Sequence, residues 1–99
     1  MRLRIAPQAE DDLDSIWYYV ATESASVEIA DRLVDSLTSR FLLLAQHPFV
    51  GRSRAQEFGP GMRSLAVSEY VIVYTIEQES VQVLRVVHGR RDLESIFSF

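Results

Sequence analysis

The segment Tyr70-Val71-Ile72-Val73-Tyr74-Thr75-Ile76 constrains the fold more than any other stretch of the chain. At strand periodicity it sets Tyr70, Ile72, Tyr74 and Ile76 on one side and Val71 and Val73 on the other. A strand apolar on both sides must lie inside a sheet with cover on both faces. Its neighbours follow the same rhythm. Met62–Val67 and Val81–His88 read as strands, and the short connections near Ser68-Glu69 and Gln78-Ser80 make the three an antiparallel meander. Phe49 to Gly61, with Gly51, Gly59, Pro60 and Gly61, reads as a loop.

The first half of the chain carries helical spacing instead. Arg2 to Ala6 is a short β-like run, after which Pro7 opens a helix at the position where its missing N–H costs nothing. Glu10, Asp11, Asp12 and Asp14 form an acidic, solvated start that complements the positive helix end. Ala9, Leu13, Ile16, Trp17 and Val20 make its buried stripe, and Trp17 is expected in the core. Thr22–Ser26 breaks the pattern, and Ser24 or Ser26 caps a second helix. That helix buries Ala30, Leu33, Val34, Leu37, Phe41 and Leu44 and ends at His47-Pro48. The order β-α-α-β-β-β, with a C-terminal helical tail in which Leu93, Ile96 and Phe97 fold back, describes an α+β domain: a helical hairpin on a largely antiparallel sheet. Residues 1–99 form one domain.

Composition narrows the function. The formal charge is −4, there is no cysteine, and all ten basic residues are arginine. Disulfides, cysteine-based zinc sites and thiol nucleophiles are therefore excluded. A net acidic chain is a poor non-specific duplex binder, so no direct specific DNA binding is expected. No apolar run approaches the roughly 20 residues that cross a bilayer, and the N-terminus has no signal-peptide pattern. The expectation is a cytoplasmic protein without membrane contact. Residues 1–50 carry four arginines against eight acids, whereas residues 51–99 carry six of each. Arg85, Arg90 and Arg91 fall within seven residues in that second half, beside His88. They read either as a patch for an anionic partner or as surface groups, with Arg85 paired to an acid such as Glu77. Alternation puts Arg85 on the face of Val81, Val83 and Val87. Arg52, Arg54 and Arg63 join the same rim if their loop folds towards the sheet, and Tyr19, off the first helical stripe, lines a groove. His88 reads as a strand-end histidine bonded to backbone or as a titrating base. No carboxylate pair, phosphate loop or metal-ligand spacing occurs, so no cofactor is implied.

The chain resembles the ParE branch of the RelE/ParE superfamily of type II toxin–antitoxin toxins. The resemblance rests on Ala9, Asp12-Leu13, Ile16 and Tyr19; on Ala30, Leu33, Leu37 and Leu44 followed by Pro48 and Gly51-Arg52; on Gly61 and Arg63; and on Tyr70–Tyr74 with Arg85-Val86-Val87-His88-Gly89-Arg90-Arg91-Asp92. It implies a toxin neutralised by a ParD-like antitoxin, with DNA gyrase as target for the ParE branch and ribosome-dependent mRNA cleavage for the RelE branch. Cleavage through a 2′-hydroxyl needs a base, cations for the phosphorane and an acid for the leaving oxygen. RelE-like members have an arginine after the central-strand tyrosine, a C-terminal tyrosine and a lysine-rich face. Here those places hold Val71 and Phe97, and lysine is absent. The departures favour a stoichiometric inhibitor over a nuclease. If the chain were a nuclease, His88, Arg85 and Arg91 would carry the chemistry. A third alternative is an inactive relative that only binds its antitoxin.

Overall fold

The computed structural model describes residues 1–93. Strand β1 (Arg2–Ile5) leads into helices α1 (Pro7–Ser24) and α2 (Val27–Gln46). Pro7 occupies the first turn of α1, and Ala25 ends it in the left-handed region at φ 54°. Ser26 rather than Ser24 caps α2, its Oγ accepting the Ile29 N–H at 3.2 Å. The chain then forms β2 (Arg52–Ser53), a short α3 (Ala55–Phe58), β3 (Met62–Val67), β4 (Tyr70–Glu77) and β5 (Ser80–His88). The expected loop over Phe49–Gly61 therefore contains a two-residue strand on the outside of β3 and one helical turn. Both are too short to leave a periodic signal. The expected helical tail lies, beyond Leu93, outside the described residues.

The sheet order is β1-β5-β4-β3-β2, so the doubly apolar strand β4 is central. β3, β4 and β5 form the expected meander, and β1 joins β5 in parallel. At the β4–β5 turn Gln78 and Glu79 both have positive φ, 48° and 63°. This is the signature of a two-residue turn that matches strand twist.

The helices pack on β1 and β5. Leu37, Phe41 and Leu44 of α2 are fully buried and join Ala9 and Ile16 of α1 against Ile72, Tyr74, Val81, Val83 and Val86. Each large side chain there stabilises the fold by roughly 1.5–3 kcal/mol. Val71, Val73 and Val87 form a second buried cluster with Met62 and Leu93. Trp17 is only half-buried. It stands at the α1–α2 contact, donating its indole N–H to Asp31 Oδ1 at 2.8 Å, because a tryptophan that finds a polar partner is best placed at the edge of a core.

One irregularity positions the site. Opposite Val73 and Tyr74, strand β5 supplies Arg85 and Val83, leaving Leu84 as an extra residue. Such a bulge shifts the alternation by one and re-aims the next side chain. Val81 and Val83 consequently belong to the helix-side core and Val87 to the opposite cluster. The single face expected for Arg85, Val81, Val83 and Val87 is thus split at Leu84.

Candidate functional site: a cleft between α1 and the end of β5

Asp12, Ile16 and Tyr19 recur at helical spacing and point from one side of α1 towards β5. With Tyr70, Arg85, His88 and Arg91 they line a cleft of about 380 Å³. Asp12 holds its inner wall. Its Oδ2 accepts Arg85 Nε at 2.8 Å and the Val86 N–H at 2.9 Å, while Oδ1 accepts a second guanidinium donor at 2.9 Å. The bulge explains this triple acceptance: it delivers a guanidinium and an adjacent N–H, freed from the ladder, to one carboxylate. Donating hydrogen bonds to Asp12 raises the Arg85 pKa above its ordinary value against the opposing effect of burial, with attraction to Asp12 and Asp92 adding to it. Asp12 is therefore half-buried and bonded rather than part of a solvated helix start. Its spacing from Ile16 and Tyr19 is the signal that separates it from Asp11 and Asp14. Arg85 does not pair with Glu77, whose carboxylate takes the Gln82 amide instead.

The outer wall is aromatic and cationic. The Arg91 guanidinium carbon lies 5.5 Å from the Tyr19 ring centroid, within cation–π range. His88 packs edge-on against Tyr70, with ring centroids 5.6 Å apart, and its Nδ1 accepts the Arg91 N–H at 3.4 Å. Its Nε2 lies 3.8 Å from the Glu69 carboxylate. Arg90 is exposed and lines a separate hollow with Glu69, Val71 and His88.

Burial raises the Tyr70 pKa from 10.0, ahead of an opposing effect of Arg91 and smaller contributions from Glu69, Tyr19 and Asp92. The phenol stays protonated longer in the folded than in the unfolded chain. The folded state then binds more protons above about pH 10, so stability falls as pH rises through that range. Tyr70→Phe is expected to remove this part of the alkaline loss, read as unfolding midpoints between pH 9 and 11. An unchanged profile would mean that Tyr70 does not titrate with folding.

The other predicted arginines do not enter the cleft. Arg52 lies three strands from Arg85 along the row Arg52–Ser64–Val73–Arg85, about 14 Å at the usual strand spacing. Arg54 bonds Ser64 Oγ at 2.8 Å, pairs with Glu57 and stacks on Phe58. Arg63 donates to the carbonyls of Phe49 and Gly51 and lies over the Phe49 ring. The structure thus divides the expected rim. Arg85, His88 and Arg91 gather with Tyr19 at the cleft, Arg90 lines a separate hollow with Glu69, Val71 and His88, and Arg54 and Arg63 tie down the β2–β3 edge.

This architecture and the residues that build it match a known family. The family described as "ParE toxin of type II toxin-antitoxin system, parDE" covers residues 3–93. The chain belongs to the ParE toxin family. It is 32% identical to Toxin ParE3 of Caulobacter vibrioides over 82 residues, covering 83% of this chain and 80% of the relative. It is also 29% identical over 87 residues to Toxin RelE3 of the same organism, covering 88% and 92%. Among solved structures, the chromosomal ParDE TA system from P. aeruginosa superimposes with a TM-score of 0.77 at 24% identity, over 89% of this chain and 95% of that one. The toxin–antitoxin complex RelBE2 from Mycobacterium tuberculosis gives 0.60 at 24% identity, over 88% and 95%. At that identity the structural likeness speaks for the fold, which the ParE and RelE branches share. No helix among the described residues of this ParE-family toxin is long and apolar enough to cross a membrane.

Proposed function

We propose that this type II toxin arrests growth by binding DNA gyrase stoichiometrically and is held inactive in the cytoplasm by a ParD-like antitoxin. The observation that carries the choice of binding over catalysis is the state of Arg85. Of the two cleft arginines that a nuclease reading requires, Arg85 already gives two hydrogen bonds to Asp12. Val71, at the place where RelE-like members have an arginine, is packed in an apolar cluster. What the cleft offers instead is recognition: an aromatic ring, a phenol and the Arg91 guanidinium, with Arg90 exposed in the adjoining hollow. Such groups are favoured at protein interfaces. ParDE and RelBE2 each name a toxin with its antitoxin, and the same pairing is proposed for this chain.

The deciding experiment is supercoiling by purified gyrase with rising toxin. Activity should disappear near equimolar toxin; full activity at stoichiometric excess would overturn the target. The same protein incubated with programmed ribosomes should leave mRNA intact. Site-specific cutting that disappears in His88→Ala would establish the RelE-type reading. Replacing Arg90 and Arg91 together with alanine is expected to weaken antitoxin or target binding by about tenfold or more, since arginine at an interface centre commonly contributes over 1 kcal/mol. Unchanged affinity and unchanged growth arrest would remove this patch from the interface.

A further inference from the structure

Strand β1 presents a free edge beside an apolar groove, and the two together specify a ligand. In a parallel pair successive residues alternate in which neighbour their backbone groups address. The N–H groups of Arg2 and Ala6 donate to Glu79 and Val83 of the β5 side. Those of Leu3 and Ile5 accordingly point away from the sheet. The side chains of Leu3 and Ile5, half-buried, face α2, where with Asp35, Thr38, Phe41 and Leu42 they line a groove of about 430 Å³. Leu42 is 62% exposed. The alternate side chains, Arg2 and Arg4, stand on the opposite face in register with Ser80 and Gln82. Both are exposed, and neither forms an ion pair with an acid among the described residues.

We propose that this edge accepts an extended peptide segment in which acidic residues alternate with branched apolar ones. The new strand would satisfy the backbone groups of Leu3 and Ile5. Its apolar side chains would enter the groove, while its acids would lie across from Arg2 and Arg4, where opposite charges on adjacent strands attract. Asp35 inside the groove disfavours the register that turns the acids inward, so the phase of alternation is fixed. Charge also disfavours a second copy of β1 as occupant, because that pairing would set Arg2 and Arg4 against their own equivalents. The opposite edge, β2, is two residues long and offers no comparable template. The inference goes beyond the reading above by naming a surface and the chemistry of its ligand. Its test involves neither gyrase nor antitoxin, so the two can fail separately.

The probes are two synthetic eight-residue peptides, one alternating glutamate with valine and the other lysine with valine, titrated into the full-length protein. The glutamate peptide should bind at least tenfold more tightly, slow hydrogen exchange at the Leu3 and Ile5 amides and weaken with added salt. Arg2→Glu with Arg4→Glu should reverse the preference, and Leu42→Glu should abolish binding to the wild-type-preferred peptide. Because the two peptides are compared on the unaltered chain, the result does not depend on any variant folding. Equal binding of both peptides, or perturbation confined to residues away from β1, overturns the proposal. So does concentration-dependent protection of Leu3 and Ile5 in the free protein, which would mean that a second copy covers the edge.

Discussion

Asp12→Ala is expected to lower the unfolding free energy by about 2–3 kcal/mol and to loosen the end of β5 from α1. One carboxylate satisfies two donors of Arg85 and the Val86 N–H. Its removal leaves a guanidinium whose side chain is 29% exposed and an N–H that the bulge has already withdrawn from the ladder. The partial exposure keeps the cost below that of a fully buried pair, because water reaches the abandoned cation. Asp12→Asn should cost less, since the amide oxygen still accepts one of the three bonds. The double variant Asp12→Ala with Arg85→Ala should recover part of the loss, as the cation left without its partner is gone. Urea midpoints of the three variants measure these differences. A change below about 0.5 kcal/mol for Asp12→Ala would show that the contact has surface-pair strength and that another feature shapes the cleft.

The same contact marks the boundary between what the sequence reveals and what it hides. The stripes of α1 and α2, the central placement of β4 and the strand bounds of β3 and β5 follow from apolar spacing, because burial of one face imposes a period on the chain. Arg91 and His88 were legible as neighbours for a related reason: a strand end and the turn after it keep their side chains together. Tyr19 was legible only as lining a groove, because its contact with Arg91 depends on how α1 packs against β5. The bulge at Leu84 was not legible. An extra residue leaves each local pattern intact and changes only the phase between them, so Val87 and Val83 read as one face when they occupy two. Asp12 was hidden by its company, since Asp11 and Asp14 beside it are solvated acids. Arg54 and Arg63 were misplaced for a third reason. Arg63 is held by the backbone carbonyls of Phe49 and Gly51, contacts that carry no side-chain signature in the sequence, while Arg54 is taken up by Ser64 Oγ on the neighbouring strand and by Glu57.

Gly51→Ala is expected to be the more damaging change, at about 3 kcal/mol, although Gly51 lies in neither core cluster. Its N–H donates to the Tyr74 hydroxyl at 3.0 Å, and that hydroxyl donates to the Pro48 carbonyl at 2.7 Å. A buried tyrosine on the central strand thus holds the loop that leaves α2, and Arg63 secures the same loop through the Gly51 carbonyl. A Cβ at position 51 would sit 2.7 Å from the Ser64 carbonyl oxygen and closer still to the Tyr74 hydroxyl. The loop must then move, at the 1–3 kcal/mol typical of overpacking, and the hydroxyl bonds break, at about 1–3 kcal/mol for groups left unsatisfied. For a domain of about 100 residues this corresponds to a fall in Tm of roughly 12–24 °C. Tyr74→Phe isolates the second contribution, because it removes the hydroxyl without adding volume, and should cost about 1–2 kcal/mol. Combining the two substitutions separates the contacts. If the hydroxyl is the main obstacle, the double variant is clearly more stable than the sum of the single effects predicts, because phenylalanine makes room for the new methyl group. Strict additivity would assign the clash to the Ser64 backbone, and a Gly51→Ala protein with wild-type Tm would mean that the loop moves freely and is not held by Tyr74.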